Sequence, residues 1–170
     1  HFRAYFEEIV GKHVSGRLKV APEHTSEKVL NIMRKPSFEL FHELYREFKR
    51  VNRENGLNQQ LIPYFISSHP NCSPEDMADL AVVTKEQGLK LEQVQDFTPT
   101  PMTLATVMYY SGYDPYTLER VVTARSIKEK SRQVLFFFWY KKEYRKQIRD
   151  DLIKMGRQDL IPKLLGNSRN

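Results

Sequence analysis

Hydrophobic and polar positions along the chain alternate between a strand-like and a helix-like period, and this alternation occurs three times. Short runs rich in branched and aromatic side chains lie at residues 17–21, 61–66 and 91–97. Each run precedes a stretch whose apolar residues recur every three or four positions, which is typical of an amphipathic helix. The pattern therefore predicts three successive strand–helix units.

Helix start and stop signals bound the first unit. A short helix is predicted from a cap at Thr25 or Ser26 to a stop at Pro36, because hydroxyl side chains favour the N-cap and proline ends a helix. A longer amphipathic helix is predicted from a cap at Ser37 to the Asn55-Gly56 pair, which is a common C-terminal stop.

The second and third units carry similar signals. Pro63 fits poorly in the second strand because a central strand uses every backbone N–H, yet β-forming residues surround it. Ser73, Pro74 and Asp76 together predict the start of the following helix. The third strand is expected to lead into a helix at 103–110.

The remaining segments are expected to be mostly helical. A turn at 112–115 is followed by a β-prone run at 120–124 and by helices at about 126–140 and 144–155. The chain starts at His1 inside an amphipathic segment, which predicts a cut within a longer polypeptide.

The alternation of strands with helices and short connections favours parallel strand pairing. In a parallel sheet, functional groups gather where the strands end at their carboxyl side. Eight polar residues occupy these expected strand ends: Glu23, His24, Ser67, Ser68, His69, Gln95, Asp96 and Thr98.

Three strands are too few to close a barrel, so the first strand is expected to have an unpaired edge. The sequence therefore predicts that the isolated chain self-associates through this edge.

Composition narrows the setting of the protein. The longest apolar run, 134–140, is far shorter than the roughly 20 residues that cross a bilayer, so no membrane partner is expected. Cys72 is the single cysteine, which favours a reducing cytoplasm and an incidental loop thiol. Residues 126–170 hold 12 Lys and Arg against 5 Asp and Glu, so the net charge of +6 resides in this tail.

Four stretches resemble the C-terminal half of the YgiQ-type radical S-adenosylmethionine (SAM) proteins. They read GRLKVAPEHT at 16–25, LIPYFISSHP at 61–70, QVQDFTPTP at 93–101 and MYYSG at 108–112, in the order and spacing of the family. The sequence GRQDLI at 156–161 is similar to the C-terminal extension of the family.

The resemblance implies the last part of a parallel, partial TIM-like (β/α) barrel over residues 1–112, followed by a basic, mostly helical extension over 113–170. SAM and a [4Fe–4S] cluster would lie at the open mouth of the barrel. The cluster motif of the family, Cys-x3-Cys-x2-Cys, does not occur in this sequence. The missing N-terminal half is therefore the expected partner, and this chain alone is expected to hold neither cofactor and to be inactive.

The resemblance also implies a role for each strand end. Glu23 and His24 are positioned to reach ribose hydroxyls or amino groups. Ser67, Ser68 and His69 are expected to line the second loop. Gln95, Asp96 and Thr98 are expected to contact the adenine or the substrate. Local roles, such as capping a helix or bracing a turn, compete with each assignment.

Two other functions stay open from the sequence. Glu23, His24, His69 and Asp96 have the side chains of a metal-dependent barrel enzyme, if they converge. The basic tail, with aromatic residues at 136–140, resembles a nucleic-acid-binding module, and an RNA substrate would be compatible with the radical SAM function. The aromatic run is more simply explained as core.

Overall fold

The computed structural model describes residues 2–92 and 94–166. Its three strands are β1 (Arg17–Glu23), β2 (Gln60–Ser67) and β3 (Val94–Asp96). Its α-helices are α1 (Phe2–Glu8), α2 (Glu27–Met33), α3 (Glu39–Glu54), α4 (Pro74–Glu86), α5 (Leu104–Ser111), α6 (Ile127–Leu135), α7 (Arg145–Lys154) and α8 (Leu160–Leu165).

The strands form one parallel sheet in the order β1-β2-β3, with β2 in the centre. Arg17 lies opposite Gln60 at the start of the first pair, and Phe65 lies opposite Val94 in the second. The predicted parallel α/β architecture is confirmed at this level, while closure into a barrel stays a prediction. The carboxyl ends of the three strands lie side by side, since they run in the same direction.

The first strand is two residues longer than the predicted 17–21, because a β-bulge carries it past Val20 to Glu23. This irregularity begins where Val20 lies opposite Pro63. Proline has no N–H for the ladder and is tolerated next to bulges, so Pro63 fits in the central strand.

Two other strand predictions were wrong in extent. The third strand covers Val94–Asp96 instead of 91–97, and Gln93 lies outside the described residues. The β-prone run at 120–124 is a loop whose single strand-like contact is an antiparallel bridge between Tyr113 and Arg120. Its backbone groups bond elsewhere, since the Val122 carbonyl accepts the N–H of Asn71 at 2.7 Å.

Helix capping largely follows the sequence. Ser73 and Asp76 form a reciprocal capping box at the start of α4, as predicted. Ser26 lies at the N-cap of α2, but its hydroxyl donates to Asp76 at 2.9 Å instead of capping the helix. Ser37 precedes the N-cap Phe38 by one position, and its hydroxyl accepts the N–H of Glu39.

The C-terminal helices pack onto the sheet unit through one continuous core. The helix predicted at 126–140 ends at Leu135 and continues as a 3-10 turn, Phe136–Phe138. Phe136 and Phe137 are buried, and the Trp139 indole N–H donates to the hydroxyl of Thr84 at 3.2 Å. The aromatic run is therefore core, as favoured above. The division into 1–112 and 113–170 stays a prediction.

The prediction at 144–155 corresponds to α7, while α8 was not predicted, because it has only six residues and contains Pro162. Across residues 2–92 and 94–166, no helix has both the length and the apolar character that a membrane crossing requires.

Candidate functional site

An open cleft of about 420 Å³ lies at the carboxyl ends of the strands. This size is within the range of small-molecule sites. The apolar residues that line it are Ile32, Met33, Ile66, Phe97, Leu104 and Ala105. The polar residues that line it are Glu23, Arg34, Lys35, His69, Gln95 and Thr98.

The cleft brings together four of the eight residues predicted from the sequence, which are Glu23, His69, Gln95 and Thr98. The other four do not line it and instead support the surrounding backbone: His24, Ser67, Ser68 and Asp96. The cofactor role assigned to each of the eight stays a prediction.

Glu23 ends β1 in a left-handed conformation, with φ of 67°. Its carboxylate forms an ion pair with Lys35, and Nζ of Lys35 lies 3.3 Å from Oε1 of Glu23. Arg34 ends α2, also at positive φ, and its guanidinium lies 4.9 Å from the ring centre of Tyr116. Positive and negative groups therefore lie along the same side of the cleft.

Arg34 and Lys35 were not singled out from the sequence. The available signal was a basic pair between the last turn of a predicted helix and Pro36, where the chain must turn back across the strand ends. Both residues follow a helix, whereas the rule for parallel sheets points only to residues that directly follow strands.

The ring of His69 uses one of its two nitrogens in a hydrogen bond within the protein. Nδ1 lies 3.0 Å from the Pro70 carbonyl and donates to it, which leaves Nε2 as the acceptor of a neutral ring. The ring packs edge-on against Phe97, with centroids 5.1 Å apart. Burial lowers the pKa of His69, although the hydrogen bond to Pro70 opposes this shift.

Gln95 and Thr98 supply neutral hydrogen-bonding groups to the cleft. The Tyr64 hydroxyl donates to Oε1 of Gln95 at 2.5 Å and thereby orients the amide. Both side chains are exposed at the cleft, so the Gln95 amide group and the Thr98 hydroxyl have access to a ligand.

His24 is fully buried behind the cleft. Its Nδ1 accepts the N–H of Ser26 at 3.0 Å, so the neutral ring carries its proton on Nε2, which faces the sulfur of Cys72 at 3.4 Å. Burial lowers the pKa of His24 to about 4, although the carboxylate of Asp76 opposes the shift. His24 therefore braces the turn after β1 as a neutral group.

Cys72 is buried, and its sulfur contacts the ring of His24, whereas its backbone N–H donates to the His69 carbonyl at 2.8 Å. Burial raises the pKa of its thiol to about 12, and the nearby Asp76 carboxylate acts in the same direction. The thiol therefore stays protonated at neutral pH and is not an activated nucleophile.

Hydrogen bonds also fix the ends of β2 and β3. The Ser67 hydroxyl donates to Oδ1 of Asp96 at 3.2 Å, and Oδ2 of the same carboxylate pairs with Nζ of Lys130, also at 3.2 Å. The backbone N–H of Ser68 donates to the side chain of Gln133 at 2.9 Å. The buried hydroxyl of Ser68 has no hydrogen-bond partner among the described residues.

The metal-site hypothesis required Glu23, His24, His69 and Asp96 to converge. The structure directs His24 toward Cys72 and Asp96 toward Lys130. Over the part of the chain that the structure describes, no three His, Cys, Asp or Glu side chains come together as a metal site.

The nucleic-acid hypothesis depended on accessible aromatic residues in the basic tail. Phe136 and Phe137 are buried, and the Tyr140 hydroxyl donates to the Leu91 carbonyl at 3.0 Å. At least three of the tail cations form ion pairs within the fold: Lys130 with Asp96, Arg132 with Asp151 and Arg157 with Asp79. Stacking of bases on this aromatic run therefore has no structural support.

Residues 92–168 match a domain of unknown function, DUF3362. The chain is 62% identical to a UPF0313 protein of Porphyromonas gingivalis over 169 residues. The aligned residues cover 98% of this chain and 27% of that protein. It is 64% identical over 162 residues to a UPF0313 protein of Bacteroides thetaiotaomicron, covering 95% of this chain and 26% of the relative.

A UPF0313 protein of Geobacter sulfurreducens is 44% identical over 165 residues, covering 97% of this chain and 27% of the relative. The chain therefore spans about a quarter of the length of the curated relatives that it matches.

Proposed function

We propose that this chain is the C-terminal part of the barrel of a YgiQ-type radical SAM enzyme, and that its cleft forms one side of the SAM site. The observation that carries the proposal is the cleft itself, which collects Glu23, His69, Gln95 and Thr98 at adjacent strand ends. The four family-like motifs and the similarity to UPF0313 proteins over nearly the whole chain support it.

The charged groups of the cleft suit the amino-acid part of SAM. The carboxylate of Glu23 can accept hydrogen bonds from the ammonium group of SAM and from the hydroxyls of its ribose. The carboxylate of SAM can pair with Arg34 or Lys35. Because Glu23 already pairs with Lys35, the ammonium and the carboxylate of a bound ligand would exchange this one ion pair for two.

The neutral part of the cleft suits a nucleoside. A purine buries its faces against apolar side chains such as Ile66 and Phe97, and its edge needs donors and acceptors, which Gln95 and Thr98 provide. His69 offers Nε2 as an acceptor for a hydroxyl, because Nδ1 is held by Pro70.

The residues of this chain do not fit the [4Fe–4S] cluster. Such a cluster needs several accessible thiolates, and the single cysteine is buried as a protonated thiol. We propose that the remainder of the longer polypeptide holds the cluster. When bound there, the cluster would supply the electron for reductive cleavage of SAM, which would yield a 5′-deoxyadenosyl radical that acts on an unknown substrate. The residues described above bind and orient SAM and exclude water from its adenosyl part.

Calorimetric titration of SAM into the full-length protein that contains this chain tests the cleft. Glu23→Gln and Arg34→Met are each expected to weaken binding about 10- to 100-fold, because each removes a charge-assisted hydrogen bond. Glu86→Gln, an exposed change on α4 away from the cleft, serves as the control. Unchanged affinity in both cleft variants would remove the assignment.

A further inference from the structure

We infer that α6, which lies within the DUF3362 match, is a clamp that positions the cleft wall through Lys130 and Gln133. The two residues are three apart on one helix, so their side chains project from the same face. This inference rests on the proposed function for its ligand, but its structural part can be tested without any ligand.

Gln133 binds the loop that follows β2. Its Oε1 accepts the backbone N–H of Ser68 at 2.9 Å and lies 3.4 Å from the sulfur of Cys72. Its Nε2 donates to the backbone carbonyl of Cys72 at 3.1 Å. One side chain, only 2% exposed, therefore joins both ends of the segment that carries His69.

The loop needs such a partner because its backbone is unusual. Ser68 has a φ of 59° and Asn71 a φ of 71°, and this left-handed conformation is unfavourable for serine although asparagine adopts it more readily. The backbone N–H of Ser68, the first residue after β2, is satisfied by the side chain of Gln133. The clamp thus stabilises a loop that its own sequence disfavours.

Lys130 binds the end of β3. Its Nζ pairs with Oδ2 of Asp96 at 3.2 Å and also donates to the carbonyl of Phe97. Phe97 forms part of the cleft wall and packs against the ring of His69. Lys130 and Gln133 therefore hold the two sides of one aromatic contact, His69 on Phe97, from a helix that does not itself line the cleft.

This arrangement makes Lys130 and Gln133 positioning residues, because they act on the ligand only through His69 and Phe97. It also gives a role to α6, which lies within the segment 113–170 that the sequence predicts as a basic, mostly helical extension. The positive charge of Lys130, counted as part of that basic tail, is used inside the fold.

The test is hydrogen exchange followed by mass spectrometry on the full-length protein. The variants are Gln133→Leu, which keeps the size but removes the polar atoms, and Lys130→Met, which keeps the stem but removes the charge. Lys128→Met is the matched control, since Lys128 is exposed on the same helix. Gln133→Glu retains the acceptor for Ser68 and should restore part of the protection.

In Gln133→Leu, the rate of hydrogen exchange at residues 67–73 is expected to rise about tenfold. In Lys130→Met, the same rise is expected at residues 94–98. In both variants the exchange rates of β1 and α3 should stay unchanged. Unchanged exchange at both segments, or an equal increase throughout the protein, would overturn the clamp. In protein that binds SAM, both variants should weaken binding about tenfold, and an unchanged affinity would overturn the positioning role. If the unmodified protein does not bind SAM, this result counts against the proposed function. The clamp is then still tested by hydrogen exchange, which needs no ligand.

Discussion

Nε2 of His24 lies 3.4 Å from the sulfur of Cys72 in the interior of the protein, although 48 positions separate the two residues. The contact joins the turn after β1 to the loop after β2, next to the cleft. Because Nδ1 of His24 accepts the N–H of Ser26, the ring must be neutral for both contacts to form. The pair therefore supports the site by packing and hydrogen bonding, and two measurable properties follow from its burial.

Cys72 is expected to resist thiol reagents in the folded protein. Its burial and its pKa of about 12 leave almost no thiolate at neutral pH, and thiolate is the reactive form. Labelling with a maleimide at pH 7 should be negligible in buffer and complete in denaturant. Ser131→Cys, an exposed position on α6, provides a thiol that should label in both conditions. Rapid labelling of Cys72 in the folded chain would contradict this account.

His24 is expected to make the protein less stable in mild acid. Its pKa of about 4 in the folded state lies below about 6.5 in the unfolded chain, so the unfolded state binds more protons between these values. The contribution of His24 to the free energy of unfolding is complete above about pH 6.5. It should fall by roughly 3 kcal/mol as the pH drops toward 4.

Urea unfolding between pH 4.5 and 7 measures this dependence. His24→Gln, whose amide can accept from Ser26 and donate to Cys72, should flatten the curve, whereas exposed His13→Gln should leave it steep. The same steep curve in His24→Gln would assign the effect to another group.

Asp76 is expected to be the most important capping residue. Its carboxylate accepts from the backbone N–H of Ser73 at 2.8 Å and from the hydroxyl of Ser26 at 2.9 Å, and it pairs with Lys28 at 2.8 Å. Asp76→Ala should lower the free energy of unfolding by about 2–3 kcal/mol, since it removes a cap and leaves the half-buried Ser26 hydroxyl and Ser73 N–H without their acceptor. Glu86→Ala, exposed near the other end of α4, should change it by less than about 0.5 kcal/mol. Equal effects of the two changes in thermal or urea unfolding would show that the network contributes little.

The isolated chain is expected to self-associate through β1. This strand pairs with β2 on one side, and within residues 2–92 and 94–166 no strand pairs with its other side. An open strand edge is a template for another chain. Sedimentation velocity should show a mass that rises with concentration, and Ala21→Lys, which adds a charge to this exposed strand, should reduce the rise. A single monomeric species at high concentration would refute the prediction.

Much of the fold was predictable from local signals. The capping box at Ser73 and the periodicity of α3 depend on neighbouring residues alone, so the sequence shows them directly. The run at 120–124 was misassigned because β-forming side chains do not reveal that the Val122 carbonyl bonds to Asn71, some 50 residues away. Tertiary contacts of this kind override local propensity.

The site was predictable to the level of strand ends but not to the level of side-chain direction. Glu23 and His24 are adjacent in sequence, yet the structure directs one into the cleft and the other into the core. The bulge in β1 and the left-handed backbone at Glu23 separate them, and neither feature has a sequence signature here. Gln133 was equally hidden, because a polar residue on a basic amphipathic helix normally faces solvent.

We propose that the cleft forms one side of the SAM site of a radical enzyme. The most direct measurement is anaerobic reconstitution of the full-length protein with iron and sulfide, followed by addition of reductant and SAM and detection of 5′-deoxyadenosine by mass spectrometry. We predict 5′-deoxyadenosine from the full-length protein, about tenfold or more less from its Glu23→Gln variant, and none from this chain alone. Absence of both a cluster and 5′-deoxyadenosine in the full-length protein would contradict the account.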